Sequence, residues 1–290
     1  MLRKRPRRQS RRSLLWSASQ ARASDLSLTV VGSINLDLVT RVEVLPRPGE
    51  TLSGATLERV PGGKGANQAV AAARLDADVR MVGCVGADPY ARDALAGLRA
   101  ARVRLDVREV DAPTGVAIIL VADDGENVIV VVPGANALVG GFTVHGNVLC
   151  QLEIPDEAVR EARGQAEWLC VNAAPARALP VEADLVVANS YEAEIVGDQP
   201  LLAVTIGEEG AILLERGKEI ARARPPQVVA VDGTAAGDAF TACLAVSLLE
   251  DRDPDEALGR ACAAGALAAS RFGAQPSLPT ADEVDAILGL

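Results

Sequence analysis

A run of small residues that ends on one carboxylate, Gly233-Thr234-Ala235-Ala236-Gly237-Asp238, stands directly before an apolar, helix-like segment. Ala235, Ala236 and Gly237 carry nothing large enough to cover their own backbone N–H groups. A helix expected from about residue 239 to 250 adds the positive end of its dipole at the same place. Such amides can meet the charge that builds up on a phosphoryl group during transfer. Asp238, in the first turn, could take the proton from an attacking hydroxyl. The same residues also suit a helix-capping Asp behind a small-residue turn.

Pro61-Gly62-Gly63-Lys64-Gly65-Ala66-Asn67 is a second candidate. It is not a Walker A loop, because Gly65 rather than Ser or Thr follows Lys64, and Glu58 stands six residues before the lysine where that loop has Gly. No G-x-G-x-x-G is present either. What remains is a turn whose backbone can approach a ligand closely, with Lys64 and Asn67 reaching into the same space, or else a turn that only initiates a helix. Lys64 is one of three lysines in the chain. Asn35 and Asp37, two residues apart on an extended segment, share a side and suit the hydroxyls of a polyol. Glu153, behind Cys150-Gln151-Leu152, and Asn189-Ser190-Tyr191-Glu192 stand at two further strand ends, as ligands or as caps.

Positioning these groups requires a scaffold of parallel strands. Leu28-Thr29-Val30-Val31 reads as a buried strand opening into Gly32-Ser33. A helix over 65–75, a strand over 79–86 and a helix over 91–100 follow. Strands are then expected at 148–152, 168–172, 185–189 and 202–206, and helices at 239–250 and 254–270. This alternation specifies a mostly parallel sheet between helical layers. Residues 36–60 and 107–132 break the rhythm with strands and turns, among them the turn Asp123-Asp124-Gly125. They would form a small second sheet, a lid over the C-terminal strand ends, or plain edge hairpins.

Composition narrows the function classes. Residues 1–27 hold eight Lys/Arg and one Asp, whereas the remainder holds 21 bases and 38 acids. So acidic a body argues against nucleic acid as the main partner. The basic segment reads as a disordered or misassigned extension, with nucleic-acid or membrane contact as the alternatives. Ser10-Arg11-Arg12-Ser13 resembles a twin-arginine signal, but no apolar stretch follows it, and no run is long enough to span a membrane. Five scattered cysteines without a C-x-x-C pair suggest reduced thiols and a cytoplasmic protein. His145, the one histidine, reads as a surface residue.

Together these segments resemble the ribokinase-like PfkB family of sugar kinases over residues 28–290. The likeness rests on Gly-Ser-Ile-Asn-Leu-Asp (32–37), Pro-Gly-Glu-Thr (48–51), Gly-Gly-Lys-Gly-Ala-Asn-Gln-Ala-Val-Ala-Ala (62–72) and Gly-Glu-Asn (125–127). It continues in Pro-Gly-Ala-Asn (133–136), Gln-Leu-Glu (151–153), Asn-x-x-Glu (189–192), Ala-Ala-Gly-Asp (235–238) and Gly-Ala-Gln-Pro-Ser (273–277). The resemblance implies a three-layer α/β/α sandwich with a mostly parallel central sheet and a small β-sheet lid. It implies transfer of the γ-phosphate of ATP to the 5-hydroxyl of D-ribose, with Asp238 as base and Ala235, Ala236 and Gly237 as anion hole. Asn35, Asp37, Gly63, Lys64, Asn67 and Glu153 would hold the sugar. Asn189 and Glu192 would organise phosphate, water and Mg²⁺. Thr205, Gly207, Gly210 and Gly237 would bind nucleotide, with Cys262 beside the adenine. Asp232, Thr234, Ala268, Arg271, Gly273 and Ser277 would surround an activating K⁺, and two copies would join lid to lid. Kinases of deoxyribose, fructose or a nucleoside, or a non-catalytic sugar sensor, could use the same scaffold.

The sequence departs from that pattern at Gly233, where the family commonly has Thr, and at Asp76, where Gly is common. The helical segments before Cys150, around Arg163 and after Val196 are expected to be short.

Overall fold

The computed structural model describes residues 26–53, 56–123 and 126–290. The basic segment up to residue 25, Asp124 and Gly125 lie outside them. In chain order the elements are β1 (Ser27–Val31), β2 (Asn35–Val42), β3 (Thr56–Gly62), α1 (Lys64–Arg74), β4 (Asp78–Gly86), α2 (Pro89–Ala94), α3 (Ala96–Ala100), β5 (Arg104–Val110), β6 (Gly115–Ala122) and β7 (Asn127–Val132). They continue with β8 (Asn147–Gln151), α4 (Asp156–Gln165), β9 (Trp168–Asn172), β10 (Leu185–Asn189), α5 (Ser190–Val196), β11 (Leu201–Thr205), β12 (Ala211–Glu215), β13 (Lys218–Ala223), α6 (Ala236–Leu249), α7 (Pro254–Ala269) and α8 (Ala281–Leu288).

The main sheet has nine strands in the order β13-β12-β11-β10-β9-β8-β1-β4-β5. Every pairing from β11 to β5 is parallel; the β11–β12 and β12–β13 pairings are antiparallel, so that β12 runs against the other strands. The central strands are apolar on both faces, as a covered parallel sheet requires. Along them, side chains alternate between two cores. Leu28, Leu149, Cys170 and Leu185 pack with α1, α6, α7 and α8. Val31, Val148, Leu169 and Val186 pack with α4. The result is the three-layer arrangement that the sequence implies. Helix α6 is buried from Asp238 to Leu248, because sheet, α1 and α7 enclose it. No helix among the described residues is long and apolar enough to cross a membrane.

A second sheet of four strands, β3-β2-β6-β7, forms the excursion. Its bounds differ from the expected ones: residues 107–110 lie in β5, which pairs with β4 at the edge of the main sheet, so the second lid segment begins at Gly115. Periodicity alone did not separate them, because the half-exposed strand β5 has the same alternating look as a lid strand. The helix expected over 91–100 is broken at Leu95 into α2 and α3. Helix α6 begins three residues earlier than expected, which draws the amides of Ala236 and Gly237 into its first turn.

The connecting helices are short, α4 with 10 residues and α5 with 7. Residues 139–146 form no helix at all; the Arg108 guanidinium holds this segment through the carbonyls of Leu138 (3.0 Å) and Gly140 (2.7 Å). Between it and the β4–β5 face opens a cavity of about 230 Å³. Asp76 takes φ 65° after α1, the conformation for which Gly is the usual choice. His145 is exposed.

Candidate active site

Parallel order brings the C-terminal ends of β1, β8, β9, β10 and β11 to one rim, where open α/β sheets bind ligands. Behind β1, the Gly32-Ser33 turn meets the start of α1 with almost no space between the backbones. A Cβ added to Gly65 would lie 2.6 Å from the Ser33 nitrogen, and one on Gly32 would lie 2.0 Å from Gln151 Oε1. Gly63 caps α1 at φ 87° without a side-chain hydrogen bond, which leaves the first-turn amides to other acceptors. Glu153 supplies one: its Oε2 accepts from the Lys64 amide (3.1 Å) and from Ser33 Oγ (2.5 Å).

Asp238 sits in the first turn of α6, buried, with both carboxylate oxygens engaged. Oδ2 accepts from Asn67 Nδ2 and Oδ1 from Gln68 Nε2, each at 2.9 Å. Burial pushes its pKa up, and Glu153 adds to this; Lys64, Asn67 and Gln68 pull in the other direction. Burial likewise opposes the charge of Lys64, yet Asp238, Glu153 and Glu192 together hold its ammonium above the usual range. The amides of Gly237 and Asp238 have no acceptor within their helix. A partly negative ligand beside Lys64 would therefore meet both an ammonium and a helix N-terminus.

On β2, Asn35 and Asp37 both face inward and are buried. Asn136 pins Asn35: its Nδ2 donates to Asn35 Oδ1 (2.7 Å), while its Oδ1 accepts from the Ile34 amide (2.8 Å). Asp37 occupies the space above Gly62, where a Cβ would lie 2.1 Å from its Oδ2. Its pKa is raised to about 7 by burial, then by the charges of Glu153 and Asp238. Among the described residues, the buried acceptors Asp37 Oδ1 and Asn67 Oδ1 find no partner, and neither does Gln151 Oε1. Hydroxyl donors of a ligand are what such atoms lack.

Asn189 and Glu192 form a reciprocal capping box on α5. Asn189 Oδ1 accepts from the Glu192 amide and Glu192 Oε2 from the Asn189 amide, each at 2.8 Å. Thr205, Gly207 and Gly210 make the β11–β12 turn, closed by the Ile206 amide on the Gly210 carbonyl (2.8 Å). Ser190 Oγ reaches the Thr205 carbonyl at 3.5 Å, which ties this turn to the start of α5. Cys262 is buried on α7 with Sγ 3.8 Å from the Ala223 carbonyl, and burial pushes its thiol up to about 11. Little of it is left for a purine to touch.

The loop before α6 is knitted to the end of α7. Asp232 accepts from the amides of Thr234 (3.0 Å) and Gly273 (2.9 Å) and from the Thr234 hydroxyl. Burial works against its charge, but these donors and Arg41 hold its pKa below the usual range. Ser277 Oγ donates to the Ala274 carbonyl at 2.8 Å, Ala268 is buried, and the Arg271 side chain turns away to Glu283 (2.6 Å). What this loop can offer a cation is oxygen: the Asp232 carboxylate, hydroxyls and carbonyls.

Asn35, Asp37, Gly63, Lys64, Asn67, Glu153, Glu192 and Asp238 thus form one connected cluster. Sequence reasoning gave no role to Ser33, Gln68, Asn136, Gln151 or Asn172, which orient it. Their available signal was chemical, since Gln68 and Gln151 are amides embedded in apolar runs.

Comparison with known proteins agrees with this arrangement. The pfkB family carbohydrate kinase model matches residues 25–141 and 139–281. The chain is 38% identical to a ribokinase of Bacillus subtilis over 90% of this chain and 99% of that protein. Its fold is similar to the crystal structure of a ribokinase from Thermotoga maritima (TM-score 0.82, 30% identity, 91% and 99% coverage). An Arabidopsis thaliana ribokinase, solved with ribose and ATP, matches at a TM-score of 0.80, 30% identity and the same coverage.

Proposed function

We propose that this chain, which belongs to the pfkB family of carbohydrate kinases, transfers the γ-phosphate of ATP to the 5-hydroxyl of D-ribose. One observation carries the reading. A buried carboxylate at the N-terminus of α6 adjoins two buried acceptors without partners among the described residues, Asp37 Oδ1 and Asn67 Oδ1. A sugar would satisfy those acceptors through its hydroxyls and present one more to Asp238.

Asp238 takes the proton of that hydroxyl as it attacks. Of the expected anion hole of Ala235, Ala236 and Gly237, the Ala236 amide donates to the Gly233 carbonyl (3.2 Å); the Gly237 amide, followed by that of Asp238, would meet the charge on the transferring group beside Ala235, and the Lys64 ammonium adds to them. Asn35, Asp37, Asn67 and Glu153 fix the sugar, while the β11–β12 turn with Thr205, Gly207 and Gly210 flanks the nucleotide; Cys262, buried against the Ala223 carbonyl, is not the purine contact expected of it. Mg²⁺ bound with ATP would neutralise phosphate charge. Among the described residues no group of three or more His, Cys, Asp or Glu could cage it, so Asn189 and Glu192 suit an ion held largely by phosphates and water. The oxygen-only set at Asp232, Thr234, Ala268, Arg271, Gly273 and Ser277 fits K⁺, which would steady the loop carrying the anion hole.

Two copies joined through their lids complete the reading. Strand β7 is a sheet edge, and Ile129 and Val130 on it are half exposed. Five buried cysteines without disulfides suit a reducing cytoplasm.

An ADP-release assay across pentoses, hexoses and nucleosides, with and without K⁺, tests the proposal. Ribose is expected to be the preferred acceptor and K⁺ to raise the rate. Asp238→Ala should lower turnover by roughly 10²- to 10⁴-fold; near-normal turnover refutes the assigned base.

A further inference from the structure

Asp238 has one neighbour that contacts neither sugar nor nucleotide in the reading above. Gln68, fully buried in α1, donates from Nε2 to Asp238 Oδ1 at 2.9 Å and to Asn172 Oδ1 at 3.0 Å. Its Oε1 accepts from Gln151 Nε2 at 2.7 Å. Asn172 in turn donates from Nδ2 to the Val187 carbonyl at 3.1 Å. A backbone carbonyl only accepts, so it fixes which way the Asn172 amide points. Asn172 Oδ1 is thereby turned on Gln68 and demands a donor. Gln68 meets that demand only with its NH₂ toward Asn172 and Asp238, which leaves its Oε1 to accept from Gln151.

We propose that Gln68 is a positioning residue for phosphoryl transfer, an amide locked in one orientation that keeps Asp238 an ionised and correctly turned carboxylate. The proposal rests on the reading of Asp238 as the base. A base in a buried site needs donors, because burial favours its protonated form. The charged and titratable groups that act on it are Lys64 from α1, Glu153 behind β8 and Asp37 from β2, while Glu192 from α5 acts on Lys64. Only Lys64 among them favours the charge, and Lys64 and Asn67 both have a sugar to hold. Gln68 has no such second duty. It can therefore donate to Asp238 throughout the cycle without adding charge to the pocket.

Gln68→Met keeps length and removes the donor. The ¹³Cγ resonance of Asp238, assigned by its disappearance in Asp238→Asn, reports the ionisation directly. Its midpoint should rise by roughly one pH unit in Gln68→Met, the effect of losing one donor to a charged acceptor. The kcat at neutral pH should fall about ten-fold and recover in part at alkaline pH, with KM for ribose held within about two-fold. An unmoved midpoint in folded Gln68→Met overturns the proposal. If that variant fails to fold, Asn172→Leu, which keeps the Gln68 donor and removes the acceptor that fixes its orientation, should move the midpoint the same way by less, and an unmoved midpoint there overturns it equally. Should Asp238→Asn retain turnover, the base assignment itself falls; should it be inactive while the midpoint stays fixed, only the role of Gln68 falls.

Discussion

Asp37 keeps its proton up to about pH 7, because burial and then the charges of Glu153 and Asp238 oppose its ionisation. The unfolded chain releases the same proton near pH 4. Between these values the folded state binds more protons, so stability falls as pH rises, and above pH 7 the whole penalty is present. Asp37→Asn is therefore expected to stabilise the sugar-free protein by on the order of 2 kcal/mol at pH 8 and by clearly less at pH 5. Urea unfolding at the two pH values checks this; an equal gain at both contradicts it. Ribose affinity should fall in the same variant. Single residues of this kind were legible when their neighbours in sequence were also their neighbours in space, as with Asn35 and Asp37 or Asn67 beside Lys64. Gln68 and Gln151 were not, since their partners lie from 83 to 170 residues away and only the folded sheet brings them together.

Among elements, the start of α1 is the most constrained. The Gly65 backbone lies against Ser33 with no room for a methyl group. Gly65→Ala should destabilise by roughly 1–3 kcal/mol through overpacking and, by moving the first turn of α1, reduce turnover more than stability. Gly233, before α6, has nothing within 4 Å of an added Cβ. Gly233→Ala should accordingly be neutral or stabilise by about 0.4–1 kcal/mol, since it restricts the unfolded chain without strain. Thermal unfolding of both variants decides, and a matching loss in each defeats the argument. The effect of Gly in place of the family's Thr at 233 is thus a matter of chain entropy, not of missing contacts. Element types followed from the change of period between strands and helices. Boundaries did not: the break at Leu95, the start of α6 and the sheet to which β5 belongs depend on pairings between distant segments.

For the whole molecule, the strand alternation was enough to specify a parallel sheet, whereas the order of its strands came only with the fold. The lid is the part left unfinished by a single chain. All residues from Val128 to Val132 are between 43% and 54% exposed, on a strand whose outer edge has no partner among the described residues. If two lids meet there, Ile129→Lys with Val131→Lys should convert a dimer into a monomer in sedimentation equilibrium, and a wild-type protein that sediments as a monomer refutes the pairing. The tight seam between Gly32 and Gly65 reaches further than chemistry. Because even a methyl group there must push two backbones apart, changes that retune sugar preference on this scaffold are cheaper to make away from the seam. The lid strands, with their open faces, are where such variation can accumulate.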